Sequence, residues 1–438
     1  MRKTFLGLAA VTAAFAFADF DGSYILPLNH AALQYNTTPV SDRVAGLQRQ
    51  LREGKVKLDY DDRHGYLSAL LKALGMAESS QVLVYSKTSF QAPRISPRMP
   101  RALYFTDDVF VGWVPGGDVL EIAAVDPRQG VIFYTMDQEA GPKPRIDRRD
   151  ECLQCHASGG TLGVPGLMVR SVFVERSGMP LFNAGGYVTD HRSPLAQRWG
   201  GWYVTGTHGS QRHMGNIFVE DRDHPDALDR EKGANVTDLK GRIDVENYLA
   251  PSSDIVALMV LEHQTRMTNL LIRVGWETRM ALSDQKAINE MLKEPEDQLS
   301  DSTRRRIDNA AESLLKYTMF ADEALLDAPV KGAPSFAKEF QARGPRDHAG
   351  RSLRELDLTR RMFRYPCSFL IYSEAFDALP RVVRERFYRR LYEVLTGADQ
   401  TPLYARLSAA DRKAVLEILL DTKRDLPESW RESRGSAR

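Results

Sequence analysis

The segment "RALYFTDDVFVGWVPGGDVLEIAAVDPRQGVIFYTMD", residues 101–137, gives the clearest indication of secondary structure in the sequence. It is rich in Val, Ile, Tyr and Phe, and it is interrupted by Pro and Gly at residues 115–118 and 127–130. Aromatic and β-branched residues favour strands, whereas Pro and Gly favour the turns between them. Together with "QVLVYSKT" at residues 81–88, this stretch predicts a β meander.

Shorter segments with a similar strand-forming composition follow the meander. The charged segment "GPKPRIDRRDE", residues 141–151, is predicted to be a basic linker. Beyond it, strand-like runs of apolar and aromatic residues occur at residues 166–175, 180–190, 200–209 and 216–222. We therefore expect the β-rich region to extend to about Arg222.

Helical spacing of apolar residues marks both ends of the chain. Near the N-terminus it occurs at residues 41–54 and 65–75, with Ser41 as the expected cap of the first helix. The longest helical run spans residues 252–282 and begins with candidate caps at Ser252, Ser253 and Asp254. A Pro/Gly-rich connection is predicted at residues 327–352, and further helices are predicted at residues 302–326, 353–363, 367–379, 381–395 and 408–423.

The chain begins with "MRKTFLGLAAVTAAFAFADFDG", which has the features of a secretory leader. Arg2 and Lys3 give a basic start, residues 5–17 form an apolar run, and Ala16 and Ala18 fit the small-residue pattern of a cleavage site. The apolar run is shorter than the roughly 20 residues that span a bilayer. We predict cleavage after Ala18, export to the periplasm or elsewhere in the cell envelope, and no membrane span after cleavage.

Composition limits the classes of partner. The 438 residues contain 59 Lys and Arg against 58 Asp and Glu, a net charge of +1. Loss of Arg2 and Lys3 with the leader leaves 57 basic against 58 acidic residues, a net charge of −1. Proteins that bind nucleic acid or anionic lipid are usually basic, so no nucleic-acid partner is predicted. Three cysteines are too few for a disulfide scaffold.

The segment "CLQCH", residues 152–156, carries the strongest chemical signal. In a Cys-x-x-Cys-His motif the two thiols add to the vinyl groups of haem and the histidine ligates the iron. Cys152 and Cys155 would then tether one covalent haem c, with His156 as its proximal ligand. Two alternatives stay open. A structural zinc site would need more Cys or His ligands, and a thioredoxin-like dithiol would need a strand before the motif and a helix after it.

These patterns together predict an α+β protein. It would have a β-rich haem-bearing central region, short N-terminal helices and a C-terminal helical domain. The predicted divisions are a signal peptide at residues 1–18, an N-terminal helical segment at residues 19–80, a β-rich haem c-binding region at residues 81–222 and a C-terminal helical domain at residues 223–438.

Other side chains are candidates for contact with the haem. Arg148 and Arg149 directly precede the motif and could bind the propionates through charge-assisted hydrogen bonds. A second axial ligand could come from Met168, or from His208 or His213 in the Gly-bounded turn "TGTHGSQRHMGN" at residues 205–216. The alternative for Met168 is a core-filling role, and for the histidines an ordinary place in a solvated loop.

Five segments carry a resemblance to a known protein family: "KTSFQAPRISPRMPRALYF", "GWVPGGDVLEIAAVDPRQGVIFY", "CLQCH", "TDHRSPLAQRWGGWYVTGTHGSQRHMGN" and "RYPCSFLIYSEAFDALP". The chain resembles large exported bacterial proteins with one c-type haem motif, described as cytochrome c domain-containing and of uncharacterised function. The resemblance covers nearly the whole mature chain and implies one covalent haem. In arrangement alone, the chain is also similar to the lysine-crosslinked haem enzymes that oxidise hydroxylamine and to haem-bearing sensor domains.

Two functions are consistent with these features. We favour electron transfer through one haem c, with redox proteins as partners. The alternative is a haem enzyme with an open distal site for a small oxygen or nitrogen species, peroxidase-like or of the hydroxylamine or NO type, in which His208, Arg212 or His213 would act as general acid or base. The size of the chain favours the enzyme, whereas the lack of a recognisable peroxidase or reductase motif favours the carrier.

Overall fold

The computed structural model describes residues 24–141 and 144–431. The predicted signal peptide, residues 1–18, lies outside the described residues. The described chain forms a seven-stranded antiparallel sheet, a separate two-stranded ladder and a largely helical C-terminal region. The predicted α+β class is therefore confirmed.

The described residues form nine strands. They are β1 (Val82–Val84), β2 (Arg101–Phe105), β3 (Val109–Trp113), β4 (Val119–Asp126), β5 (Gly130–Asp137), β6 (Ile146–Arg148), β7 (Val169–Val172), β8 (Gly186–Thr189) and β9 (Trp202–Tyr203). The main sheet has the order β6-β5-β4-β3-β2-β1-β9, and β7 pairs with β8 outside it. Strands β1 to β6 are neighbours in chain order, as a meander requires, so that prediction is confirmed.

Two predictions at the borders of the sheet are wrong. Residues 141–151 are not only a linker, because residues 146–148 pair with β5 and form the edge strand β6. Residues 216–222 form no strand, although they contain Ile, Phe and Val. Two separate backbone hydrogen bonds link them to the rest of the β region, from Asn216 N to Trp202 O at 2.9 Å and from Val219 N to Val174 O at 2.8 Å. Two bonds to different segments fix positions but do not build a ladder.

The register of the main sheet defines a surface that we call the motif face. It places Leu103, Gly112, Glu121 and Thr135 side by side on β2, β3, β4 and β5. Side chains two residues apart on a strand share a face, so Arg101 and Phe133 also belong to the motif face. The opposite face of β2 is buried at Ala102 and Tyr104, whereas Arg101 and Leu103 are only half-buried. The motif face is thus partly open at β2.

The described helices lie at both ends of the chain and at the motif. They are α1 (Arg43–Arg52), α2 (Leu67–Ala73), α3 (Leu153–His156), α4 (Ile255–Leu292), α5 (Asp301–Thr318), α6 (Pro334–Ala342), α7 (Glu374–Asp377), α8 (Arg381–Thr396) and α9 (Ala409–Thr422). Among the described residues, no helix combines the length and apolar character needed to cross a membrane.

Helix α4 is the central support of the molecule. It contains 38 residues, which corresponds to a length of about 57 Å. Of the three candidate caps, Asp254 takes the position, and its carboxylate accepts hydrogen bonds from the backbone N–H groups of Val256 and Ala257. Nearly every residue from Ile255 to Thr278 is buried, so this half of the helix is surrounded by protein on all sides.

Several helix boundaries differ from the sequence prediction. The cap of α1 is Asp42, because the neighbouring Ser41 hydrogen-bonds to Asp126 instead. Residues 353–363 form no helix, and Leu356 pairs with Phe363 in an isolated antiparallel bridge. The predicted connection at residues 327–352 contains helix α6, and α5 ends at residue 318 rather than near 326. At the start of α1, the contact of Ser41 with distant Asp126 overrides the local pattern.

Candidate functional site

The Cys-x-x-Cys-His segment forms one and a half turns of helix at the motif face. A 3₁₀ turn at Asp150–Cys152 leads directly into α3, which ends at His156. Cys155 is exposed, whereas Cys152 and His156 are half-buried. Both thiols are free rather than joined in a disulfide. The segment therefore presents two thiols and one imidazole within seven residues of helical chain.

The ring of His156 is oriented by Gly166. Its Nδ1 lies 2.9 Å from the backbone oxygen of Gly166. A carbonyl oxygen only accepts hydrogen bonds, so Nδ1 carries the proton and donates it. The lone pair of the neutral ring is then on Nε2, the nitrogen that an iron would use. Burial lowers the pKa of His156 and so favours this neutral form, whereas the hydrogen bond to Gly166 raises the pKa.

The loop that follows the motif is tied to α4 by one amide side chain. Asn269 accepts a hydrogen bond from Leu167 N at 2.9 Å and donates one to Leu167 O at 2.7 Å. Gly166 also returns a bond to the motif, since its N–H donates to His156 O at 2.8 Å. A Cβ at Gly166 would come within 2.3 Å of Asn269 Oδ1, so the clamp requires glycine there. Helix α4 thus fixes the residue that orients His156.

A second tie joins the same loop to α4. Arg273 Nη1 donates to Leu162 O at 2.9 Å and to Tyr24 O at 3.1 Å. Leu162 has a left-handed backbone with φ of 61°, so the loop turns sharply at the residue that Arg273 holds. The segment from Ala157 to Leu167 is therefore a rigid support rather than a free loop.

The motif packs onto the motif face of the sheet. The ring of His156 lies against the ring of Phe133 on β5, with their centroids 4.7 Å apart. Burial, together with the smaller effect of the carboxylate of Glu121 on β4, raises the pKa of the Cys152 thiol to about 11. Cys152 is therefore a protonated thiol at neutral pH.

Apolar side chains lie beside the motif on its other side. Met168 is half-buried, and its Sδ would lie 3.1 Å from a Cβ placed at Gly160, four residues after His156. Val188 on β8 approaches the same glycine to 3.5 Å and is 43% exposed. Met168 thus lies close to the motif, and its role as a second axial ligand stays a prediction.

The two arginines before the motif point to different faces. Arg148 lies opposite Tyr134, on the face away from the motif, where its guanidinium packs 4.8 Å above the ring of Tyr35. Arg149 turns to the motif face, and its Nε donates to Thr135 Oγ1 at 2.8 Å. The propionate contact predicted for both therefore fits Arg149 in position, whereas Arg148 is engaged elsewhere.

The candidates from the predicted distal turn, His208, Arg212 and His213, make their contacts away from the motif. His208 uses both ring nitrogens, with Nδ1 donating to Gln211 O at 2.8 Å and Nε2 accepting from Asn235 N at 3.0 Å. Arg212 forms an ion pair with Glu231 at 2.7 Å. Within the described chain we find no hydrogen bond, ion pair or ring contact between these side chains and the motif. To ligate iron, His208 would have to give up one of its bonds.

His213 is enclosed beside His208. Their ring centroids are 4.8 Å apart, and the ring of Trp199 lies 5.3 Å away. His213 Nδ1 accepts a hydrogen bond from Gly215 N at 2.9 Å, and burial lowers the pKa of His213 to about 3. Its Nε2 has no hydrogen-bond partner among the described residues. The residue is a neutral core histidine in this state, and its role as axial ligand stays a prediction.

A buried histidine pair is the main feature that sequence reasoning missed. His191 Nδ1 lies 2.8 Å from His263 Nδ1, and His263 Nε2 lies 2.8 Å from Ser368 Oγ. All three residues are buried. His263 lies on the buried half of α4, and its partner could not be identified from the sequence because His191 is 72 residues away in the chain.

A buried ion pair lies on the same part of α4. Arg198 Nη1 and Glu262 Oε2 are 3.0 Å apart, and both side chains are almost fully buried. Thr189 on β8 donates a second hydrogen bond to Glu262, 2.6 Å long. These contacts connect the β7–β8 ladder to the helix that also holds the motif loop.

Comparison of the chain with protein-family models, curated proteins and solved structures found no match. Among the described residues, no group of three or more His, Cys, Asp or Glu side chains is arranged to hold a metal ion. A haem iron takes four ligands from the porphyrin, so a c-type site needs only one proximal histidine from the chain. Any functional assignment therefore depends on the geometry of the motif itself.

Proposed function

We propose that this protein is a c-type cytochrome that binds one covalent haem and transfers electrons in the cell envelope. The observation that carries the proposal is the orientation of His156, whose Nδ1 donates to Gly166 O and leaves Nε2 for a ligand bond. Two free thiols lie within the same helical turn. This combination matches what covalent haem attachment and proximal ligation require.

The surroundings of the motif fit a haem. A porphyrin is a flat apolar body with two carboxylates, so its site needs apolar walls and a cation. Met168 and Val188 supply partly exposed apolar surface near the motif. Arg149, whose side chain turns to the motif face, supplies the cation.

The geometry argues against a dithiol of the thioredoxin type. Such a site depends on a thiolate with a lowered pKa, usually at the N-terminus of a helix. Here burial raises the pKa of Cys152 to about 11, and the helix that carries the motif has only four residues. Cys152 is thus a poor nucleophile for disulfide exchange at neutral pH.

A bound haem would supply a one-electron ferric/ferrous couple for exchange with redox partner proteins. His156 would hold the iron through Nε2, and Gly166 fixes the orientation of its ring. Asn269 and Arg273 hold the loop that carries Gly166. A rigid ligand sphere favours fast electron transfer because little reorganisation is needed. Export and redox partner proteins belong to the same proposal.

Covalent attachment is the direct test. The protein is produced with haem-attachment machinery and stained for haem after a denaturing gel, because thioether bonds survive denaturation. We expect staining of the parent protein and none of the double variant Cys152→Ala/Cys155→Ala. The matched control is Cys367→Ala, which removes the buried third cysteine and should leave the stain unchanged. Covalent haem in the double variant would refute the proposal.

Export is tested on the same preparation. Mass spectrometry of the purified protein is expected to find an N-terminus at Asp19 and the mass of one added haem. A haem-free chain that retains Met1 and stays in the cytosol would contradict both the compartment and the cofactor.

A haem enzyme with an open distal site is the second candidate. It is favoured by the engagement of both ring nitrogens of His208, since a side chain that is already hydrogen-bonded does not readily become an axial ligand. Carbon monoxide distinguishes the two functions. A low-spin reduced spectrum that does not change with carbon monoxide supports the carrier, whereas a high-spin spectrum that shifts supports the enzyme.

A further inference from the structure

An ion pair crosses a whole strand of the motif face. Arg101 lies on β2 and Glu121 on β4, and β3 runs between them. Their side chains nevertheless meet, with Arg101 Nη2 and Glu121 Oε2 2.6 Å apart. Direct neighbours in a sheet lie on adjacent strands, so this contact needs a gap in the strand between.

Gly112 on β3 provides that gap. It lies directly opposite Glu121 in the register of β3 and β4. A Cβ at this position would come within 2.5 Å of Arg101 Nη2 and 2.6 Å of its Nε. The guanidinium therefore lies flat on the backbone of β3, in the space that any other residue would fill. The φ of Gly112 is not positive, so the close approach of Arg101 is what requires glycine here.

The ion pair between Arg101 and Glu121 is half-buried. The side chains of Arg101 and Glu121 are 19% and 16% exposed. Gln91 Nε2 donates to Glu121 Oε1 at 3.0 Å and to Val119 O at 3.1 Å, so the carboxylate has a second fixed partner. Charges in such an environment are screened less by water and salt than surface charges are.

The haem motif faces this pair. His156 packs on Phe133, which shares the motif face with Glu121, and Cys152 follows Arg149 on the same face. In the register of β4 and β5, Glu121 lies directly opposite Thr135, which is two residues from Phe133 and accepts the hydrogen bond from Arg149 beside the motif. The ion pair therefore lies one strand away from the residues that the imidazole packs against, and a charge at this distance acts on an iron bound to that imidazole.

We propose that the Arg101–Glu121 pair, laid across β3 at Gly112, sets the reduction potential of the iron held by His156. The inference rests on the proposed function. The ferric centre carries one more positive charge than the ferrous centre, so Glu121 stabilises the ferric state and Arg101 opposes it. The two residues are tuning residues that act through space, and neither ligates the iron.

The test is a spectroelectrochemical titration of the holoprotein. Glu121→Gln is expected to raise the midpoint potential, and Arg101→Gln is expected to lower it. Arg101→Lys keeps the charge and should restore most of the parent potential. The matched control is the exposed pair of Arg94 and Asp118, whose removal as Arg94→Gln or Asp118→Asn should change the potential far less.

The outcomes separate this inference from the proposed function. If the variants carry covalent haem but Arg101→Gln and Glu121→Gln shift the potential no more than the control pair, the inference is overturned and the cytochrome assignment stands. Shifts of the same sign in both variants would also overturn it, because general loosening of the site rather than charge would explain them. If the parent protein binds no haem, the proposed function itself fails. Circular dichroism of each variant verifies that the fold is retained.

Discussion

The buried pair of His191 and His263 predicts an acid sensitivity that can be measured. Burial lowers the pKa of His263 to about 3 in the folded protein, and Asp190 opposes this only weakly. In the unfolded chain the pKa is about 6.5. Below pH 6.5 the unfolded state therefore binds a proton that the folded state does not, and stability falls as the pH decreases. The stability lost through protonation of His263 reaches its full value only near pH 3.

The size of the effect follows from these two values. Between pH 7 and pH 4.5, His263 alone should reduce the free energy of unfolding by about 2–3 kcal/mol. The perturbation is His263→Gln, which removes the titrating group and retains an amide that can hydrogen-bond to Ser368. The variant should lose stability less steeply than the parent protein over this pH range, whatever its stability at pH 7.

Urea denaturation at several pH values, followed by circular dichroism, provides the assay. The control is His224→Gln, since His224 is exposed and pairs with Asp221, which raises its pKa instead. That variant should not show a shallower loss of stability in acid. Parallel pH profiles for the parent protein and His263→Gln would refute the reasoning, because they would show that His263 is as easily protonated in the folded state as in the unfolded one.

Two further predictions concern the contacts of α4. Asn269→Ala leaves the N–H and C=O of Leu167 without their partner and should lower the free energy of unfolding by about 1–3 kcal/mol in urea denaturation; unchanged stability would mean that the clamp does not support the loop. Arg198→Leu leaves Glu262 buried and unpaired and should cost about 3–5 kcal/mol, whereas Arg198→Leu combined with Glu262→Leu should recover most of it. A double variant as unstable as the single one would contradict that account.

The meander could be predicted because its signals are local. Residues 101–137 alternate strand-forming runs with Pro and Gly turns, and the structure follows that pattern strand by strand. Edge strand β6 could not be predicted in the same way, since the charged composition of "PRIDRR" is typical of a linker. It becomes a strand because β5 offers an unpaired edge to residues 146–148, and that edge exists only in the folded sheet.

The candidate site shows the same contrast between residues that the local sequence predicts and residues that only the fold brings together. Cys152, Cys155 and His156 could be predicted because the motif that identifies them spans only five consecutive residues. Gly166, which orients the His156 ring, and Asn269, which holds the loop, could not be predicted in this way. Asn269 is 102 residues from the backbone that it binds. The ion pair of the motif face was equally hidden. It depends on register, and a slip of one residue would send its side chains to the opposite face.

The distance between the motif and its clamp has a consequence for the order of biosynthesis. Translation begins at the N-terminus, so residues 152–156 are made long before residue 269. Until α4 has been made and has folded, Asn269 and Arg273 do not hold the loop of Gly166, and the thiols lie on a segment that is still open on that side. Attachment of a cofactor to this open segment would precede the closing of the fold around it. A fragment that stops before residue 255 would keep the complete motif but lose the helix that orients its histidine.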